Sequence, residues 1–140
     1  MTLQTMLERD EGRRNIAYQD SLGLWTIGVG HHDANVCRGM VWADAEIDRV
    51  FAADVAEKTA QVEEELPWVA DLSEPRLAVI LAMAFQMGAS RLFAFVNTLA
   101  AVKRGDYFAA AEGMRNSVWA HQTPVRAARM ALQMQEGRWI

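Results

Sequence analysis

Residues 11–31 of this 140-residue chain read EGRRNIAYQDSLGLWTIGVGH, and this stretch decides the fold of the N-terminal part. Ile16 to Tyr18 and Leu24 to Val29 are rich in β-branched and aromatic residues, which favour strands. The four residues from Asp20 to Gly23 form a turn sequence, because Asp accepts local backbone hydrogen bonds and Gly adopts positive φ without steric cost. We therefore predict a small antiparallel hairpin over this stretch.

The residues before the hairpin have helical periodicity. Thr2 is a typical N-cap, apolar residues recur at helical spacing after it, and Gly12 is a typical helix stop. The predicted first helix carries Glu11 in its last turn.

The remainder of the chain also predicts helices. The run from Leu77 to Phe85 is apolar on every face, which is typical of a helix at the centre of a helical lobe, and Ser73 is expected to cap it. Thr123-Pro124 predicts the start of a final helix, with the Thr as its cap, and Gly137 predicts its end.

Together these patterns predict an α+β protein of one domain, residues 1–140. A small β-containing lobe is expected at approximately residues 13–50. A larger helical lobe is expected at approximately residues 1–12 and 51–140, with the apolar helix at its centre.

Composition and charge argue against several classes of protein. Cys37 is the only cysteine, so no internal disulfide can form. The net charge of −4 argues against a general nucleic-acid-binding protein, which is usually basic. The N-terminus lacks the apolar run of a signal peptide, and the longest apolar run is too short to span a bilayer.

The charge is distributed unevenly along the chain. It is −8 over residues 1–85 and +4 over residues 86–140, so an anionic partner is expected to contact the C-terminal part.

Glu11, Asp20 and Thr26 provide the groups that glycoside hydrolysis requires. One carboxylic acid protonates the leaving oxygen, and a second carboxylate works on the opposite face of the sugar. Glu11 is expected at the C-terminal end of a helix, where the helix dipole favours a protonated acid. The residue types alone leave structural roles open, because Asp20 also suits a turn and Thr26 also suits a strand.

Three blocks of the sequence resemble the T-even phage lysozymes, a family of muramidases. The first is the stretch from Glu11 to His31, and the second is AFQMG at residues 84–88. The third, SVWAHQTPVRAAR at residues 117–129, resembles the SRWYNQTPxRAxR motif of that family. The blocks occur in the family's order along nearly the whole chain. The segment between His31 and Asp44 looks shorter than in the best-known members, so the chain resembles a shortened member.

The resemblance implies a lysozyme-like fold and an activity. The expected reaction is hydrolysis, with inversion, of the β-1,4 bond between N-acetylmuramic acid and N-acetylglucosamine in peptidoglycan. No cofactor and no metal are implied. The protein is expected to act as a monomer without inserting into a membrane. It would accumulate in the host cytoplasm and reach the wall, for host cell lysis, through a separate membrane pore.

The resemblance also implies catalytic roles for three residues. Glu11 is expected to be the general acid. Asp20 is expected to stay ionised, stabilise positive charge on the sugar ring and help to activate water. Thr26 is expected to help Asp20 hold that water.

Four further residues are predicted to bind substrate or to line its cleft: His31, Phe85, Gln86 and Arg126. His31 alone is more typical of a hydrogen-bonded structural histidine, and a metal site with His32, Asp33 and Cys37 is disfavoured because that loop offers no rigid geometry. Gln86 suits either sugar hydroxyls or a helix-end cap. Arg126 lies in the first turn of the final helix and is implied to act on Glu11.

Two other functions compete with this interpretation. A non-catalytic lysozyme-like module could bind the cell wall or a protein, but such a module has no need for Glu11, Asp20 and Thr26 together. A helical DNA-binding protein could use the basic residues of the final helix, but the acidic total charge disfavours it.

Overall fold

The structure is a computed structural model that describes all 140 residues of the chain. It consists of a two-stranded antiparallel sheet and eight α-helices, which confirms the predicted α+β, lysozyme-like fold. In chain order the elements are α1 (Leu3–Glu11), β1 (Arg14–Gln19), β2 (Trp25–Gly28), α2 (Asp44–Glu65), a 3-10 turn (Pro67–Asp71), α3 (Glu74–Met87), α4 (Ala89–Phe93), α5 (Val96–Lys103), α6 (Tyr107–Arg115), α7 (Val118–Gln122) and α8 (Pro124–Glu136).

The chain divides into two compact units, residues 1–57 and residues 58–140, and the boundary falls within α2. The first unit contains α1 together with both strands. The lobe boundaries predicted from the sequence, which group residues 1–12 with the helical part, stay a prediction.

The predicted capping of α1 is confirmed. The Thr5 backbone N–H donates to Thr2 Oγ1 at 3.2 Å, and the Thr2 N–H donates to Thr5 Oγ1 at 2.9 Å, so two N-terminal donors are satisfied reciprocally. At the other end the Gly12 N–H donates to the Glu8 carbonyl at 2.9 Å. Glu11 is therefore the last residue of the helix, as predicted.

The predicted hairpin is present, with Tyr18 opposite Thr26. The first strand is longer than predicted because its outer edge pairs with the loop that precedes α2. There the Trp42 N–H donates to the Asn15 carbonyl at 2.8 Å, and the Ala17 N–H donates to the Met40 carbonyl at 2.9 Å. The loop thus protects the edge of a two-stranded sheet that would otherwise be marginally stable.

The second unit is built around α3, whose residues Ala78–Ala84 are all buried, as its all-round apolarity predicts. Ser73 and Thr123 occupy the N-cap positions of α3 and α8, but neither side chain caps its helix, which corrects the prediction. The Thr123 hydroxyl instead donates to the Trp119 carbonyl at 3.2 Å. Pro75 is the second residue of α3 and Pro124 the first of α8, and each removes one backbone donor, which makes a side-chain cap less necessary.

Arg76 on α3 holds the C-terminal end of α8. Its Nε and Nη2 groups donate to the carbonyls of Met134 and Gln135 at 2.8 and 3.1 Å, and its guanidinium lies 3.5 Å from the centre of the Tyr107 ring. These contacts satisfy carbonyls that the helix leaves unpaired and fix the last helix to the centre of the unit.

None of the helices combines the length and the apolarity that a membrane span requires.

The close packing of α5 against α6 yields a stability prediction. A methyl group on Gly113 would collide with Thr98 Oγ1, whereas the next nearest Thr98 atom would be 3.5 Å away, an ordinary contact. We expect Gly113→Ala to lower the free energy of unfolding by about 1–3 kcal/mol, as overpacking does. Adding Thr98→Ala should recover part of that loss, because it removes the colliding atom and Ala favours a helix over Gly. Urea unfolding of the two single variants and the double variant gives the coupling energy. Additive losses would contradict this account of the contact.

Candidate active site

Glu11 stands at the C-terminal end of α1 and is half-buried. Its side chain lies against the main chain of Gly30, where an added Cβ would be 3.2 Å from Glu11 Oε2. The absence of a side chain at Gly30 therefore allows the carboxyl to rest directly on the backbone. The contact joins the helix end to the turn that follows β2.

Asp20 is held by the main chain of Leu24 across the hairpin turn. Asp20 Oδ1 accepts the N–H groups of Leu22 and Leu24 at 2.8 and 2.9 Å, and the Asp20 N–H donates to the Leu24 carbonyl at 2.9 Å. This arrangement is the Asx-type turn that the sequence predicts. It uses Oδ1 alone, so Oδ2 remains available to accept a hydrogen bond from outside the turn.

Thr26 lies two residues beyond Leu24 and is only 3% exposed. Its hydroxyl donates to the Leu24 carbonyl at 3.0 Å, so the same carbonyl binds both Asp20 and Thr26. With its proton committed to that carbonyl, Thr26 Oγ1 can act only as an acceptor toward a third group such as water.

Tyr18 experiences the charges of both Glu11 and Asp20. It pairs with Thr26 across the strands, and the Arg14 guanidinium lies 4.6 Å from the centre of its ring. Burial raises the pKa of Tyr18, Arg14 opposes that rise, and the negative charges of Glu11 and Asp20 add to it. Both carboxylates are therefore within electrostatic reach of one phenol.

His31 follows directly after Gly30 and makes two carboxylate contacts. Its Nδ1 lies 2.6 Å from Asp54 Oδ2 on α2, and its Nε2 lies 2.9 Å from Asp33 Oδ2 in the following loop. Burial opposes the charged ring, but these two hydrogen bonds outweigh it and raise the pKa of His31. The hydrogen bond from His31 also lowers the pKa of Asp33. Because the protein engages both ring nitrogens, the geometry fits the structural interpretation of His31, and its role in substrate binding stays a prediction.

A cavity of about 360 Å³ adjoins His31 and is lined by the Trp42 ring, whose centre is 5.5 Å from the imidazole centre. Asp33 and Asp54 also line it. The chain contains no group of three or more His, Cys, Asp or Glu arranged to hold a metal ion. Cys37 is exposed.

The predicted residues of the second unit lie on α3 and α8. Phe85 and Gln86 are in the last turn of α3, and Arg126 is in the first turn of α8. Gln86 Oε1 accepts the indole N–H of Trp119 at 3.0 Å. Because an indole can only donate, the amide oxygen must face the ring, and the Gln86 Nε2 group remains to donate to a ligand. Gln86 therefore has an orienting partner that the sequence did not reveal.

Trp119 is buried, as expected for a core residue, and its indole also packs edge-on against Phe95 with the ring centres 6.3 Å apart. The two rings line a cavity of about 520 Å³ that also carries Arg91 and Gln122. An aromatic wall with a few polar groups is typical of a small-molecule or glycan site. Gln86 and Trp119 are 33 residues apart in the chain, so no local pattern predicts their contact.

The sequence was then compared with known proteins. A model of the phage lysozyme family matches residues 8–131. The probable T4-type lysozyme 1 of Dictyostelium discoideum is 26% identical, over 97% of this chain and 95% of that protein. The endolysin of Salmonella phage P22 is 34% identical, over 77% of this chain and 75% of that protein. The peptidoglycan hydrolase gp36 of Pseudomonas phage phiKMV is also 34% identical, over 86% of this chain but only 14% of that longer protein.

The His31 contacts yield a prediction of pH-dependent stability. The raised pKa of His31 means that the folded state favours the charged ring. The contribution of His31 to stability is therefore complete below about pH 6.5, the pKa of histidine in the unfolded chain. It is lost as the pH rises through the higher pKa of His31 in the folded protein. We expect His31→Asn to lower the free energy of unfolding by about 1–3 kcal/mol at pH 5 and by less at pH 9. Urea unfolding at both pH values measures the difference.

The exposed neighbour His32 provides the matched control. His32→Asn should leave stability nearly unchanged at both pH values, since surface substitutions typically have effects within about 0.5 kcal/mol. An equal loss for His31→Asn at pH 5 and pH 9 would contradict the assignment of the charged hydrogen bonds.

Proposed function

From its membership of the phage lysozyme family, which implies a lysozyme-type function on peptidoglycan, we propose that this protein is a muramidase. The proposed reaction is hydrolysis of the β-1,4 bond between N-acetylmuramic acid and N-acetylglucosamine. The observation that carries the proposal is that Asp20 and Thr26 bind the same Leu24 carbonyl, in the same compact unit as Glu11, and that Tyr18, opposite Thr26, experiences the charges of Glu11 and Asp20.

Glu11 is proposed to be the general acid. It would donate its proton to the glycosidic oxygen as the bond to the anomeric carbon breaks. Its position supports this role: the carboxyl is carried by the last residue of α1, and the backbone of Gly30 covers one side of it.

Asp20 and Thr26 are proposed to hold the attacking water. The hydroxyl of Thr26 already donates to Leu24, so Thr26 Oγ1 would accept one hydrogen bond from the water. Asp20 Oδ2, which the turn does not use, would accept the other and remove that proton during attack. The lone pair of the water would then point away from both groups, toward the anomeric carbon.

We also propose that the reaction inverts the anomeric centre. A water held between carboxylate and sugar attacks the face opposite to the leaving group, so a β bond gives an α product in a single displacement. Phe85, Gln86 and Arg126 are proposed to contribute to substrate binding. The Gln86 amide, fixed by Trp119, is suited to donate to a sugar hydroxyl or an N-acetyl carbonyl.

The cellular role that we propose is lysis of a host. Relatives of the chain are named as endolysins. We propose that the enzyme acts as a monomer, accumulates in the host cytoplasm and reaches the wall through a pore made by another protein.

The role of Glu11 can be tested by one isosteric change. Glu11→Gln keeps the size of the side chain and removes the proton, so release of reducing ends from purified peptidoglycan should fall by about 10²–10⁴-fold. Glu57→Gln, at an exposed position on α2, is the control and should leave the rate unchanged. A Glu11→Gln protein with a tenth of the wild-type turnover would refute the assignment. A wild-type protein that binds peptidoglycan but releases no reducing ends would instead be a binding module.

The stereochemical course provides an independent test. Proton NMR of a soluble peptidoglycan fragment, recorded before mutarotation, should show the α-anomer of the new reducing end first. The β-anomer should grow only later, as the sugar equilibrates in water. Early appearance of the β-anomer would require a covalent intermediate and would rule out the water-holding role of Asp20 and Thr26.

A further inference from the structure

The Glu11 side chain rests on a backbone position that has no side chain of its own. A Cβ on Gly30 would lie 3.2 Å from Glu11 Oε2 and 3.4 Å from both Cβ and Cγ of Glu11. The distance to Oε2 is tighter than most real contacts and the two carbon distances are at the short end of ordinary contact, so an added methyl group would displace the carboxyl by a few tenths of an ångström. The contact covers Glu11 from its Cβ to its carboxyl oxygen.

Hydrogen bonds and burial restrict movement of the backbone at Gly30 away from Glu11. The turn that contains Gly30 is closed by two reciprocal hydrogen bonds, from the Ile27 N–H to the His31 carbonyl at 2.8 Å and from the His31 N–H to the Ile27 carbonyl at 3.0 Å. Ile27 and Val29 are buried, with at most 1% of their surface exposed. The carboxylates of Asp33 and Asp54 hold the His31 ring on the far side.

Glu11 is constrained from the helix side as well. It is the last residue of α1, and the Gly12 N–H continues the helical hydrogen bonding to Glu8. Met6 and Leu7 of the same helix are buried, with 1% of each exposed. The space at Gly30 therefore limits where the Glu11 carboxyl can lie on the side of the turn.

We propose that Gly30 is a positioning residue for the general acid: its missing side chain sets the place of the Glu11 carboxyl and excludes water from one side of it. This inference rests on the proposed role of Glu11 as the acid. A proton donor must lie within hydrogen-bond reach of the leaving oxygen, and a displacement of about 1 Å can cost about 10²-fold in rate. The role proposed for Gly30 is therefore exerted through Glu11.

The experiment compares substitutions at Gly30 and Gly39. Both glycines have positive φ, +66° and +85°, but a Cβ on Gly39 would meet nothing within 4 Å. Alanine at either position therefore carries the same kind of backbone strain, and only Gly30→Ala also presses on Glu11. Gly30→Asn and Gly39→Asn form a second pair, because Asn tolerates positive φ better than other residues and should fold if Ala does not.

We expect both Gly30 variants to lose about 10-fold to 10²-fold in kcat on soluble peptidoglycan fragments, with KM within about threefold of the wild-type value. The limb of their pH–rate profile that reports the general acid should also move. The Gly39 variants should keep the wild-type rate and profile. Their urea midpoints should fall by amounts similar to those of the Gly30 variants.

Two results would overturn the inference. One is a Gly30 variant that turns over as fast as its Gly39 counterpart. The other is a slower Gly30 variant with an unchanged pH–rate profile, since a merely structural defect lowers the rate without altering the acid.

A readout without activity separates this inference from the proposed function. The ¹³C NMR signal of the Glu11 carboxyl carbon, followed through a pH titration, should change in Gly30→Ala and not in Gly39→Ala. If the wild-type protein hydrolyses nothing, the proposed function fails while this signal still decides whether Gly30 positions Glu11. An unchanged signal in both variants would reject the positioning role.

Discussion

The main chain of Leu24 is the point on which the candidate site depends. Its N–H donates to Asp20 Oδ1, and its carbonyl accepts the Asp20 N–H and the Thr26 hydroxyl. One peptide position therefore fixes a carboxylate and a hydroxyl six residues apart and decides which of their atoms stay available. Because backbone groups cannot rotate away as side chains can, the pair is preorganised before any ligand arrives.

A second constraint connects the hairpin to the first helix and to α2. The turn after β2 carries Gly30 under Glu11, and the next residue, His31, is held by Asp33 and Asp54. The sequence TIGVGH therefore has two roles. Its second glycine, Gly30, leaves space for the Glu11 side chain, and His31 connects the same turn to α2 through its hydrogen bond with Asp54. The same turn therefore contacts Glu11 and contributes to stability through the hydrogen bonds of His31.

In the second unit the same principle applies to Gln86. The indole of Trp119 fixes the amide oxygen, which leaves the amide N–H groups as the functional end. Trp119 is itself held by the packing of Phe95 and by the Thr123 hydroxyl on its carbonyl. A buried aromatic residue of the core therefore also orients a polar residue beside a cavity.

The sequence by itself determined the features that rest on local interactions. Thr2 and Thr5 are three residues apart, the Asp20 turn closes within four, and the apolar run of α3 buries itself whatever surrounds it. The three blocks of family sequence identified the lysozyme fold by resemblance. Only the tertiary structure decided the pairs between Glu11 and Gly30, His31 and Asp54, and Gln86 and Trp119. These partners are between 19 and 33 residues apart, and such contacts exist only when separate elements pack together, so no periodicity or turn signal in the chain could have revealed them.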